Sequence, residues 1–320
     1  MMSKNGYKFK KILPFIISIV VIGIVYLLCS ANIISRYNQG ILTSICINVV
    51  LVASLNLTAG YLGQLTLGHA GFMSIGANSA ALLTKDILAA MPIQISFWVA
   101  LLISGLVAAL LGALVAIACL RLKGDYLAII TLAFGEIIRN ILTNINIVGG
   151  AKGYMGISRF VSFPLSLSVA IVCVGIIYLM IHSQQGRYIK AIAVDEIASA
   201  SSGVHTQYYK VATFVIAAFF AGVAGCLYAH YMGNLAPKVF DYNMSIKLLV
   251  MVVLGGMGNL FGGVMATIVL TALPEMLRAV SDYQMLAYSL VLIIIMLAKH
   301  SPKMNELMQR IKIKRKGNFV

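Results

Sequence analysis

The chain has 320 residues, 61% of them hydrophobic and only 10% charged, with 24 basic residues against 9 acidic and a formal net charge of +15. A soluble domain carries about 45–50% apolar and about 25% charged residues, so a water-soluble globule is excluded: there is too little polar surface to cover one. The mean hydropathy of +0.96 agrees, and at about 20 apolar residues per crossing the composition allows on the order of eight to ten membrane helices.

In such a chain the basic excess is a signal of orientation, not a nucleic-acid footprint. The five cysteines (Cys29, Cys46, Cys119, Cys173 and Cys226) stand singly in apolar stretches. No CxxC pair and no His at zinc-ligand spacing accompanies them, so they read as small packing residues, with neither disulfides nor a metal site indicated.

In chain order, residues 1–11 are a basic segment whose Lys8, Lys10 and Lys11 precede the apolar run 12–29. That order also suits a signal peptide, but the run is long and many apolar segments follow, which favours an uncleaved first crossing. Bulky Leu28 before Cys29 argues against a lipoprotein site. Further apolar segments occupy 41–57, 62–83, 93–120, 126–145, 163–182, 211–232, 245–257, 260–276 and 283–298. The segment 245–257 is too short to span alone, and Gly255, Gly256, Gly258, Gly262 and Gly263 interrupt the pair it forms with 260–276. Two broken half-crossings and a partly inserted helical hairpin both fit, because irregular backbone at membrane depth survives only where protein or a water-lined cavity satisfies it.

Basic residues decide between topologies. Ten segments with the N-terminus in the cytoplasm put sixteen basic residues inside and seven outside, with Arg139 within a segment. Merging 245–257 with 260–276 reverses the bias, to ten inside against thirteen outside. The expectation is an all-α polytopic membrane protein of about ten transmembrane or partly inserted helices, with both termini cytoplasmic. It divides into the N-terminal segment 1–11, a transmembrane domain 12–298 with a cytoplasmic loop 183–210, and a basic tail 299–320. Lys312, Lys314, Arg315 and Lys316 in that tail would rest near anionic lipid headgroups.

Three stretches do not look like plain lipid-facing anchors. In 60–81, GYLGQLTLGHAGFMSIGANSAA, the residues Gly71, Ser74, Asn78 and Ala81 fall on one helical face. Small residues there allow close helix packing, or they line a translocation path; both readings stand. Gln64 and His69 are expected near the cytoplasmic end in a hydrated or hydrogen-bonded role. In 121–140, RLKGDYLAIITLAFGEIIRN, Glu136 and Arg139 are three apart and can pair on a helix. Charges inside a bilayer face the protein interior or a water-filled cavity, so the pair is either structural or in contact with passing solute. Thr131 on the same segment joins Glu136 as a candidate for the path or for packing. In 186–203, Ile189, Ile192 or Ala193, Ile197 and Ala200 recur with helical period, and Gly203 is a fitting stop. The result is a short amphipathic helix, weakly basic, suited to a groove on a partner protein more than to lipid.

Absent motifs narrow the function. No GxxxxGK[ST] or GxGxxG run fits, and no HExxH, GxSxG or paired-carboxylate arrangement supports hydrolysis. The chain therefore reads as non-catalytic and without a cofactor of its own. Active transport would draw its energy from ion coupling or from another subunit.

Taken together, 60–81, 121–139 and 186–225 resemble the LivM-type permeases of branched-chain amino acid ABC importers, over about residues 40–300. The resemblance implies a membrane subunit working with a LivH-like second permease, two cytoplasmic ATPases that bind ATP, and an external amino-acid-binding protein. It also implies residence in a bacterial cytoplasmic membrane and contact with its lipids, but not with nucleic acid. The region from Ile189 and Ile192 through Glu196, Ile197 and Ala198 to Gly203 would be the ATPase-coupling loop. In the related pattern of importer permeases a Glu precedes Gly by six residues; here Ile197 holds that position and Glu196 lies one earlier. Urea and short-chain amide importers use similar subunits and are the nearest alternative. An ion-coupled secondary transporter would want unpaired carboxylates at the midplane, where only Glu136 lies.

Overall fold

The structure is a computed structural model that describes residues 35–119, 124–276 and 293. The expected segments 12–29 and 283–298, both basic ends, and Arg121 and Lys123 lie outside the described residues. The chain divides into two compact units, Met1–Ile268 and Val269–Val320. Within the second, the described residues are Val269–Met276, part of a helix with Pro274 inside it, and Ile293.

Regular structure among the described residues is helical apart from one two-residue strand pair. Helix α1 (Arg36–Leu55) runs into a π-turn (Asn56–Tyr61), then an irregular stretch to Gly68. Helix α2 (His69–Leu82) follows, ending in a second π-turn (Leu83–Ile87). Next come α3 (Ile93–Cys119), α4 (Asp125–Asn144), α5 (Phe163–His182), α6 (Gln184–Val194) and α7 (Glu196–Ser201). The last are α8 (Thr206–Met232), α9 (Tyr242–Gly255) and α10 (Leu260–Met276). Among the described residues, five helical stretches are long and apolar enough to cross a membrane: Arg36–Tyr61, α3, α4, α5 and α8. The two longest, at 27 residues, reach about 40 Å, more than the roughly 30 Å hydrocarbon core.

The side-chain pattern of α3 explains its place. Trp98, Leu102, Leu106, Leu110 and Leu114 recur every four residues and are exposed, a ridge suited to lipid. Ala100, Ser104, Ala108, Gly112 and Ala116 form the buried ridge. These small residues let α8 come close: a Cβ built on Gly222 would sit 2.6 Å from the Ala108 methyl. Helix α2 lies deepest, with all but Ser79 and Leu82 buried. Backbone meets backbone there. A Cβ on Gly76 would stand 2.3 Å from the Gly222 carbonyl oxygen, and one on Gly225 2.2 Å from that of Met73.

One expectation is corrected here. The segment 62–83 is not one helix, because residues 62–68 are irregular and helix begins only at His69. Gly63 at φ +73° turns the chain out of the π-turn. The freed backbone groups find other partners: Gln64 N donates to Thr58 O at 2.9 Å, Leu67 N to Thr131 Oγ1 at 3.0 Å, and Ala70 N to Ser245 Oγ at 3.2 Å. Non-helical backbone at membrane depth is viable only with such partners.

One end of the bundle is clasped by hydrogen bonds. Strand β1 (Tyr154–Met155) pairs antiparallel with β2 (Asn234–Leu235). Lys85 Nζ donates to the Met155 carbonyl at 2.8 Å, and the Tyr154 hydroxyl donates to Asp86. Arg159 Nε reaches the Met232 carbonyl at 3.1 Å, and His230 Nδ1 the Ser158 carbonyl at 2.9 Å. Burial, aided by the Asp86 carboxylate, pushes the Tyr154 phenol up to about 12. Helix α8 leads away from this clasp to the opposite end, where α6 and α7 lie.

Candidate functional site

The opposite end holds α6, α7 and the irregular stretch 62–68. Ser183 starts α6, its Oγ accepting from Gly186 N at 3.3 Å. Ile189 and Ile192 turn inward and close on Leu62, with Tyr61, Met180, Val204 and Tyr209 packed around them. The expected single amphipathic helix is instead two. Asp195 is extended at φ −152° and caps α7, its Oδ1 accepting from Ile197 N at 2.9 Å and Ala198 N at 3.0 Å. A carboxylate able to hold the next helix's free N–H groups favours such a break. The break turns Ile197 away from the Ile189 and Ile192 face: it is 76% exposed, and Val194 before the cap is 90% exposed.

Glu196 is tied to buried Lys210 at the start of α8 by an ion pair. Gly203 lies just past α7 at φ +84°, a left-handed stop, with Val204 N donating to the Ser199 carbonyl at 3.1 Å. Beside this region two open grooves share Tyr209. One is lined by residues 204–209, the other by Ser183, Gln184, Gln185 and Tyr188.

The remaining candidates sit along α2 and α4. Gly71 faces Gly135, where an added Cβ would lie 2.8 Å from the Gly135 Cα. Ser74 is buried and its hydroxyl has no partner. Asn78 Nδ2 donates to the Ser74 carbonyl at 2.9 Å. Thr131 Oγ1 donates back to its own helix at the Leu127 carbonyl, 2.9 Å away, while receiving Leu67 N. Glu136 forms the ion pair with Arg139, Nε to Oε2 at 2.9 Å, and its Oε1 accepts Tyr242 N at 3.0 Å at the start of α9. Gly71, Thr131 and Glu136 therefore join helices, whereas Ser74 carries an unspent hydroxyl. His69 is 2% exposed, its ring edge-on to that of Phe72.

Three further residues belong to this end although periodicity does not single them out. Lys190 Nζ lies over the Tyr61 ring, 5.5 Å from its centre. Tyr61 OH accepts Leu260 N at 3.2 Å, and Asn56 Oδ1 accepts Gly258 N at 3.0 Å. The available signal was an Asn at the end of an apolar run and an aromatic beside a glycine; neither names a partner some 200 residues away.

Comparison with known proteins fits this architecture. Residues 37–298 match the family described as branched-chain amino acid transport system / permease component. The chain is 33% identical over 299 residues to the high-affinity branched-chain amino acid transport system permease protein LivM of Escherichia coli K12. That match covers 82% of this chain and 69% of the relative. The Salmonella typhimurium LivM protein is 32% identical with the same coverage. A probable LivM of Methanocaldococcus jannaschii is 27% identical over 61% of each chain. No solved structure matches. A multi-pass helical chain with this match along most of its length belongs to the family of permease components of branched-chain amino acid transport systems.

Proposed function

We propose that this chain is one of two membrane subunits of an ATP-driven importer in a bacterial cytoplasmic membrane, where it forms part of the path for branched-chain amino acids. A LivH-like permease completes the path, two cytoplasmic ATPases drive it, and an external binding protein delivers the solute. Ten membrane segments with both termini inside, as the basic residues favour, put α6 and α7 on the cytoplasmic face. The observation that carries the reading is the pair Val194 and Ile197, large apolar side chains held out at a helix break. Apolar side chains held out in this way mark a contact surface for a partner. The chain has no nucleotide motif, so that partner is the source of energy. Few charges at membrane depth suit a zwitterion with an apolar side chain.

The test is reconstitution with the cognate second permease, ATPases and binding protein. Labelled leucine should enter vesicles in an ATP-dependent way. Val194→Asp together with Ile197→Asp should release the ATPases and abolish uptake. Full uptake by the double variant would overturn the coupling assignment. Uptake of urea or short amides in place of leucine would overturn the substrate.

A further inference from the structure

We propose that the π-turn Asn56–Tyr61 is the joint that passes movement of α6 to the glycine turn between α9 and α10, with Tyr61 as its positioning residue. The inference rests on the importer reading and names the route by which an ATPase-driven shift reaches the membrane.

On one side the joint is gripped by α6. Leu62 is packed between Ile189 and Ile192, and the Lys190 ammonium stands over the Tyr61 ring. Gly63 lies so near Ala193 that a Cβ there would be 3.5 Å from the alanine methyl, ordinary contact distance. A shift of α6 would press on Tyr61, Leu62 and Gly63, because close-packed interiors transmit strain.

On its other side the joint holds the glycine turn. Gly256 and Gly258 have φ +94° and +76°, and α10 begins two residues later. The first N–H groups of a helix have no acceptor within it. Here Tyr61 OH takes the first of them, Leu260 N, and Asn56 Oδ1 takes Gly258 N in the turn just before the helix. Gly60 also approaches so closely that a Cβ would lie 2.4 Å from Gly258 N. One tyrosine thus touches the driven helix with its ring and the start of α10 with its hydroxyl.

The wide backbone of a π-turn is suited to a change of arrangement, and π-turns recur at functional sites. A two-state element biased from one side is what energetic coupling requires.

The experiment measures leucine imported per ATP hydrolysed in the complete reconstituted importer. Tyr61→Phe keeps the ring under Lys190 but removes the acceptor, and should lower the ratio about fivefold, the factor one ordinary hydrogen bond gives. ATP hydrolysis and ATPase binding should continue. Asn56→Asp keeps an acceptor and should keep the ratio, whereas Asn56→Leu should lower it. A merely structural role would reduce the amount of assembled importer and both rates together, leaving the ratio unchanged. Unchanged ratios in both Tyr61→Phe and Asn56→Leu would overturn the joint. If those variants fail to assemble, Lys190→Gln decides: a lowered ratio supports the joint and a native one overturns it. Failure of the unmodified assembly to import would overturn the importer reading instead.

Discussion

The two ends of the bundle are built by different chemistry. At the clasped end, loops are tied by hydrogen bonds from Lys85, Tyr154, Arg159 and His230, four of them to backbone or carboxylate oxygens on other elements. At the other end, α6 is held by apolar packing on Leu62 and a cation over a ring, and large side chains stand exposed beyond it. Hydrogen bonds are directional and fix loops in one arrangement; apolar contacts are non-directional and let a packed helix move as a body. On the importer reading proposed above, the difference leads us to expect rearrangement to begin at the α6 end while the clasp holds the loops together.

Four substitutions would break or sharpen that contrast. The largest effect should come from the shared waist: Gly76→Leu drives a side chain into the Gly222 backbone, a cost of about 3 kcal/mol. It should abolish the folded chain at both ends alike, read by loss of the monodisperse peak in detergent. Ile192→Ala should cost about 3 kcal/mol through the cavity left under α6. Proteolysis should then cut residues 183–205 while the clasp stays protected; equal loss at the clasp would refute the contrast. Asp195→Ala removes the cap of α7 and should cost about 1 kcal/mol, seen as faster amide exchange at Ile197 and Ala198 alone.

The smallest effect concerns pH at the clasp. The Tyr154 phenol is raised from 10.0 to about 12 in the folded chain. Its contribution is therefore complete below pH 10 and is lost as pH rises through about 12. Protection of the Leu235 amide should fall across that window, and Tyr154→Phe should remove the step. A step that survives in the variant would assign it to another group.

Hydropathy alone makes much of the helical frame legible, because long apolar runs such as 93–120 and 163–182 can only be satisfied as helices in a bilayer. It fails at 62–68 for a physical reason. Leu62, Leu65 and Leu67 are as apolar as a helix requires, but the backbone partners that free them, Thr131 among them, lie far along the chain. The stripe of Gly71, Ser74 and Asn78 is legible as a face, yet only the structure tells which neighbour each residue meets. Ile197 shares the period of Ile189 and Ile192 but not their environment, because the Asp195 side chain resets the helix between them. Asn56 and Tyr61 are invisible to any local pattern: their partners are 202 and 199 residues away.

The glycines of α2 carry one more consequence. Gly71 meets α4 and Gly76 meets α8, five residues on and about 140° around the axis. A sliding error of one residue would bring Phe72 or Ala70 to the first contact and Ala77 or Ile75 to the second. Both faces would jam together. The correct alignment of this central helix is therefore written in two notches, as a key is cut, and each notch is checked by a different neighbour as the bundle closes.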